Sequence, residues 1–310
     1  MTSKFNRSLL PPSSSFFLFG PRGTGKSTWL RSSFPGAFIV DLLLPDVYRA
    51  YAARPERFIE AVHALAPKTT VIVDEVQKVP ELLDAAHKLI EEKHGHLFVF
   101  TGSSSRKLKR SGVDLLAGRA RLCRMHPFLA CELGSHFSLP RALQQGMLPL
   151  VWDAPDGQAT LDAYAGLYVK EEVQSEGLVR RVGDFARFLE AAALSHGGLL
   201  NLANLARECE VERKTAENYL QILEDLLLAF RLPSFVKRAK RALTKHAKFY
   251  LFDAGVYQSL RPRGPLDEDK GNSGAALEGL VAQQLRAHID YTDPKMTLSH
   301  FRSQGGSEVD

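Results

Sequence analysis

The sequence predicts an α/β fold, a parallel sheet with helices on both faces, followed by a mostly helical region. Short runs that are apolar at every position alternate with helical periodicity through the first half of the chain. A glycine-rich turn separates the first such run from the first helical stretch. From about Asp156 onward the strand runs fade and helical spacing takes over. Strands that are apolar on both faces must be covered on both sides, and a parallel sheet flanked by helices does this.

Phe16–Phe19 reads as the first buried strand and Thr24–Ser33 as the helix after the turn. Ala37–Asp41 reads as the second strand, and Pro55–Leu65 as a helix with proline in its first turn. Val71–Val73 is a third strand. The helix after it carries Leu82, Ala85, Ala86 and Leu89 on one face. Leu97–Phe100 is a fourth strand. In the second half, Leu161–Val173 and Val182–Leu194 read as successive helices, the latter ended by His196-Gly197-Gly198. Leu202–Glu208 and Lys214–Leu227 have the length and spacing of a helix-turn-helix, with Ala216, Tyr219, Leu220, Leu223 and Leu227 on one apolar face. Leu228–Phe235 and Lys248–Phe252 are expected to pair as the strands of a wing. Arg261–Gly274 reads as a linker and Ala276–Ile289 as a last helix.

Composition removes whole classes of function. The chain has 310 residues, 45% hydrophobic and 24% charged, a globular balance too apolar for disorder. No stretch approaches the roughly 20 apolar residues of a membrane helix. Met1–Leu18 lacks the pattern of a secretory signal. Cys123, Cys131 and Cys209 form no CxxC pair, which suits a reducing compartment and argues against a disulfide scaffold. A cytoplasmic protein without membrane contact is expected. The net charge of +5 is mild, but it is unevenly spread. Seven Lys or Arg residues stand between Arg106 and Arg124 with one acid, Asp114, and six between Lys237 and Lys248 with none. Such runs are ordinarily solvated faces.

Gly20-Pro21-Arg22-Gly23-Thr24-Gly25-Lys26-Ser27, followed by Thr28, fits the phosphate-binding pattern GxxxxGK[ST] in full, with a strand before it and a helix after it. Glycines let the backbone curl so that successive N–H groups face a β-phosphate, and the helix N-terminus adds its positive dipole. Lys26 would set its ammonium against the β- and γ-phosphates, and Ser27 would offer a hydroxyl to Mg²⁺. Asp74 and Glu75 end the third strand. The first would hold Mg²⁺ through its water shell, the second would polarise an attacking water. At the end of the fourth strand, Ser103, with Thr101 close behind, could reach between γ-phosphate and water. Arg119 or Arg106 could neutralise transition-state charge. Arg22 lies within the loop and could be a plain surface residue.

In this order, Phe19–Thr28, Val73–Pro80, Thr101–Ser105 and Leu116–Ala120 resemble the AAA-type ATPases of bacteria and archaea that carry a C-terminal domain of uncharacterised function. Tyr168–Glu172, Phe188–Glu190, Lys214–Leu227 and Phe230–Pro233 extend the resemblance over nearly the whole chain. It implies an ATPase core over 1–155, a helical and winged-helix-like region over 156–262, a linker over 263–274 and a piece of a restriction-endonuclease-like domain over 275–310. It also implies ATP and Mg²⁺ as ligands, tips the base to adenine, and supports Lys26, Ser27, Asp74 and Glu75. It leaves room for a homo-oligomer. Similar sequences continue past Ser307-Glu308-Val309-Asp310 into a strand with Glu-x-Lys, whereas this chain ends at Asp310. Glu278 and Asp310 alone cannot complete a metal-dependent nuclease site, so no nuclease activity is expected.

The helix-turn-helix could meet DNA. Against this, Glu212, Glu217, Glu224 and Asp225 crowd its second helix beside only Arg213 and Lys214. Lys237, Arg238, Lys240 and Arg241 could instead track phosphates. His63, His87, His94 and His96 show no HExxH and no cluster with carboxylates, and read as surface or satisfied histidines. Three functions remain open: a Mg²⁺-dependent ATPase that switches its winged-helix-like region, an ATP-gated DNA-binding regulator with slow hydrolysis, and a small-molecule phosphotransferase. Glu75 weighs against the last.

Overall fold

A computed structural model describes residues 5–103, 120–168, 182–235, 247–262, 269–302 and 308–309. The chain forms two compact units, Met1–His126 and Pro127–Asp310.

In the first unit, β1 (Phe16–Phe19), β2 (Phe38–Asp41), β3 (Thr70–Asp74), β4 (Leu97–Gly102) and β5 (Arg121–Arg124) form one sheet in the order β2-β3-β4-β1-β5. All of its pairings are parallel. The central strands are buried along both faces, as their unbroken apolar runs require. Phe17 packs against Phe100 with ring centroids 5.1 Å apart, which locks β1 to β4. Helix α1 (Lys26–Ser33) follows β1, and α4 (Leu82–Glu91) buries Leu82, Ala85, Ala86 and Leu89, the face expected of it. The chain leaves β1 toward β2 and β4 toward β5, in opposite directions along the sheet. The crevice above their carboxyl ends is therefore the topological switch point, where open α/β sheets bind ligands.

Two elements differ from expectation. The helix expected over Pro55–Leu65 is the shorter α3 (Arg57–His63), and a helix that was not expected, α2 (Pro45–Ala53), precedes it. Arg54 is extended at φ −146°, as a residue before proline tends to be, and this separates them. Helix α2 has no fully buried residue, and its short apolar stripe, Val47, Ala50 and Tyr51, is only half-buried. Strand β5 lies within the basic run read as a solvated face. It is an edge strand whose Arg121 and Leu122 are exposed, and cations on an edge discourage strand addition.

The second unit begins with α5 (Ala130–Leu133), α6 (Leu139–Gln145), α7 (Pro149–Trp152) and α8 (Gly157–Ala163). Leu148 and Val151 belong to the same apolar core as Phe185, Phe188, Tyr219 and Leu223. Residues 127–155, expected with the ATPase core, thus pack with the helices that follow. Helix α9 (Val182–Leu194) ends at the His196–Gly198 turn, where Gly197 takes φ +74°. Helices α10 (Leu202–Glu208) and α11 (Arg213–Asp225) come next, and Tyr219 meets Phe185 edge-on at 5.3 Å. Leu227 lies beyond the end of α11 in the left-handed region at φ 60°, so it drops out of the expected helical face and Leu226 is buried. Strands β6 (Ala229–Leu232) and β7 (Lys248–Leu251) pair antiparallel as expected, with Phe230 opposite Tyr250. Helix α12 (Ala254–Leu260) follows. Helix α13 (Asp269–Thr292) starts inside the stretch read as linker, because a long helix propagates through residues too poor to nucleate one. Phe301–Arg302 and Glu308–Val309 pair as β8 and β9. Among the described residues no helix is long and apolar enough to cross a membrane.

Candidate functional site: a phosphate-binding loop facing an acid pair

The loop between β1 and α1 needs its glycines for geometry. Gly23 and Gly25 take φ 78° and 84°, left-handed values that cost an L-residue energy. Gly20 is crowded: a Cβ there would lie 2.4 Å from the Met125 carbonyl oxygen. Gly20→Ala is therefore expected to destabilise the first unit by about 2 kcal/mol through overpacking. Thermal denaturation measures it, and an unchanged Tm would mean that the end of β5 yields freely.

Within the loop, Thr24 Oγ1 donates to the Pro21 carbonyl at 2.8 Å. Lys26 is buried, and its Nζ donates to the carbonyls of Gly20 at 2.6 Å and Pro21 at 3.2 Å. The ammonium is thus stored on loop carbonyls within the turn that would take the phosphates. Arg7 braces the loop from outside, donating to the Thr24 carbonyl at 2.8 Å and the His126 carbonyl at 2.5 Å.

Facing the loop is the end of β3. Ser27 Oγ donates to Asp74 Oδ2 at 2.7 Å, and Thr101 Oγ1 donates to Asp74 Oδ1. The same Thr101 oxygen accepts from the Glu75 backbone N–H at 3.0 Å. Thr101 therefore anchors both acids. Glu75 itself sits at φ 60°, ψ 47°, a left-handed conformation uncommon for a residue with a Cβ. This turns its side chain away from the direction that β3 would have given it. Its carboxyl is buried, and burial pushes its pKa up. Lys26 and Arg22 pull it back, and Asp74 adds to the rise. Arg22 is thus close enough to act on Glu75.

Gln77, on the short 3₁₀ turn Val76–Lys78, had no role assigned from its sequence context. Its Nε2 donates to Glu75 Oε2 at 2.6 Å and to Ser103 Oγ at 3.3 Å. It fits only because Gly102 has no side chain: a Cβ there would meet Gln77 Oε1 at 2.5 Å. Its signal, the Val73–Pro80 motif, was visible, but its target depends on β3 and β4 being neighbours.

The hydroxyl of Ser27 and the carboxylate of Asp74 are a hard, all-oxygen donor pair, the chemistry that Mg²⁺ prefers. Their contact shows that the two groups can converge on one small cation. Ser104, Ser105, Arg106, Arg119, Lys237, Arg238, Lys240, Arg241 and Asp310 lie outside the described residues. Lys248, the last cation of the second basic run, is buried and donates to Glu278 Oε1 at 3.0 Å; Tyr250 Oη donates to the same oxygen at 2.5 Å. Glu278 is thus engaged by two partners on β7. On α11, Glu224 accepts a two-point contact from Arg231 at 2.7 and 2.6 Å.

One reading is corrected. The histidines do form a cluster with a carboxylate: His63, His94 and Glu92 bring one ligand atom each within 4.8 Å of one another. Glu92 and His94 stand two residues apart, and the fold brings His63 to them from 29 residues away in sequence.

Two family models match parts of the chain. Residues 13–134 match the family model of an AAA domain, and residues 136–267 match that of a domain of unknown function. Two uncharacterised proteins, from Mycobacterium bovis and Mycobacterium tuberculosis, are each 27% identical over 304 residues. The match takes in 94% of this chain and 66% of theirs, so the chain spans just under two thirds of the length of these relatives. Among solved structures, the Aeropyrum pernix ORC1 protein in complex with DNA aligns at 16% identity and a TM-score of 0.31, over 81% of this chain and 87% of that one. The ADP form of the Aeropyrum pernix ORC2 protein aligns at 15% identity and 0.35, over 89% and 90%.

Proposed function

We propose, from the premise that residues 13–134 are an AAA domain joined to a domain of unknown function, that the protein binds and hydrolyses ATP with Mg²⁺ and that nucleotide state switches its second unit. The observation that carries this reading is the convergence of the Lys26 loop, the Ser27–Asp74–Thr101 contacts and buried Glu75 at the carboxyl edge of one parallel sheet.

In this reading the loop's backbone N–H groups and α1's N-terminus cradle the phosphates, and Lys26 exchanges its two carbonyls for phosphate oxygens. Ser27 and Asp74 hold the Mg²⁺, which neutralises phosphate charge when bound. Glu75 orients water and accepts its proton, with Gln77 fixing the carboxylate from behind. Ser103, tied to Gln77, is assigned a γ-phosphate contact that ATP would make and ADP would lack. A ligand shifts a conformational equilibrium only by its differential affinity, and such contacts supply it. Arg119 is the proposed charge-neutralising cation. The output element is the winged-helix-like array of α10, α11 and the β6–β7 pair.

The second reading is an ATP-gated DNA-binding regulator, favoured by the helix-turn-helix spacing followed by the paired strands β6 and β7, with the basic residues Lys237–Arg241 between them in sequence. Glu217 and Asp225 on α11, with Glu212 at its start, weigh against that helix as a base reader, although Arg231 of β6 offsets Glu224. Phosphate release from ATP and GTP with Mg²⁺, with and without DNA, separates the two. ATP-selective turnover supports the ATPase; nucleotide-dependent DNA binding without turnover replaces it with the regulator.

A further inference from the structure

A second constellation lies in the first unit, at the amino ends of the strands and so at the opposite edge of the sheet from the phosphate loop. Helix α3 ends on His63, and Glu92 caps α4. Lys93 at φ 57° and Gly95 at φ 76° then reverse the chain, and Lys68 N–H donates to the His94 carbonyl at 3.2 Å, which pins the turn. The result is that His63 Nε2 lies 2.6 Å and His94 Nε2 3.7 Å from the same oxygen, Glu92 Oε2.

We propose that His63, Glu92 and His94 form a binding site for a borderline divalent cation, with Zn²⁺ the best match and water completing a tetrahedron. Ligand atoms about 2.1 Å from a tetrahedral zinc stand roughly 3.4 Å from one another, and the observed separations bracket that value. Two imidazoles and one carboxylate select Zn²⁺, Co²⁺ or Ni²⁺ over Mg²⁺, so the site is chemically distinct from the all-oxygen pair Ser27 and Asp74. The carboxyl ends of two helices, α3 and α4, meet here, and their carbonyl dipoles favour a cation. His96 is not a ligand: its Nδ1 faces the Thr69 carbonyl at 3.3 Å. A bound ion would tie the end of α3 to the α4–β4 turn and so brace the edge of the sheet remote from the nucleotide.

The rival account is a surface ion pair between His63 and Glu92, worth little on its own. The test uses the untagged, metal-stripped, nucleotide-free chain, titrated with Zn²⁺ against a chromogenic chelator and separately with Co²⁺. One equivalent of Zn²⁺ per chain is expected, with visible d–d absorption of tetrahedral Co²⁺. Uptake should weaken in acid, because a protonated imidazole cannot ligate a metal. His63→Ala and His94→Ala should each weaken it by about 100-fold or more, with circular dichroism unchanged because both side chains are exposed. His87→Ala, which lies in the separate Glu91 pair, should leave it intact. No stoichiometric uptake, or uptake that survives both His63→Ala and His94→Ala, overturns the proposal and leaves the ion pair.

Discussion

Glu75→Gln should lower ATP turnover by about 10²–10⁴-fold while nucleotide still binds, the loss expected for a general base. Glutamine keeps the volume and can present its Oε1 to Gln77 Nε2, so the turn at φ 60° and the contact at 2.6 Å can persist. What disappears is the proton acceptor. Burial raises the Glu75 pKa, and the active, ionised form is lost as pH falls through that raised value. The acid limb of turnover should therefore lie above the range of an exposed carboxylate. Gln77 pulls the same pKa down by its hydrogen bond. Gln77→Ala should then move the acid limb to still higher pH as well as slow turnover, a signature that a purely structural glutamine would not produce. Because the buried carboxylate is poorly solvated, Glu75→Gln should not lower Tm at neutral pH. Phosphate release against pH, nucleotide affinity and Tm on the three proteins decide the matter. Full turnover in Glu75→Gln would reduce Glu75 to a turn residue and remove the catalytic assignment.

The phosphate loop and the acid pair were legible because each is defined by residue types at fixed short spacing after an apolar strand. The sheet's core strands were legible for the same reason: burial on both faces leaves no polar position. What was hidden depended on proximity across the fold. Gln77 reaches Ser103 and Glu75 only because β3 and β4 are neighbours and Gly102 leaves space. His63 meets Glu92 across 29 residues. Helix α2 was hidden because its apolar stripe is short and only half-buried, and β5 because an exposed edge strand can be as basic as a loop. The place of residues 127–155 was hidden as well, since short apolar helices carry no mark of the core they will join.

Asp253 is what fixes that last segment, and its removal should give the largest stability loss in the second unit. It is fully buried and caps α12, its Oδ1 accepting from Gly255 N–H at 2.9 Å and Val256 N–H at 3.1 Å. Its Oδ2 accepts from Met147 N–H at 2.7 Å, which stitches the α6–α7 connection to α12. The fit allows no side chain at Gly146 or Gly255: added Cβ atoms would meet the Asp253 carboxyl and the Gln145 backbone within 2.2 Å. Asp253→Ala loses a cap and strands a buried N–H, together about 3 kcal/mol. For a unit of this size that lowers Tm by roughly 6–12 °C. Asp253→Asn keeps the Oδ1 acceptor but turns an NH₂ toward Met147 N–H, so its loss should be smaller. The two differ from wild type in pH response. Burial pushes the Asp253 pKa up to about 6, with the three backbone donors pulling back without cancelling it. A folded pKa above the unfolded value means that the native state holds the proton more tightly, so this group's contribution declines as pH rises from about 4 through about 6. The gap in stability between wild type and Asp253→Asn should therefore be wider at pH 4 than at pH 7, by up to about 3 kcal/mol. Denaturant unfolding at the two pH values measures the gap. A gap that is constant or widens toward pH 7 would show that the three N–H donors outweigh burial and that Asp253 stays ionised in the fold.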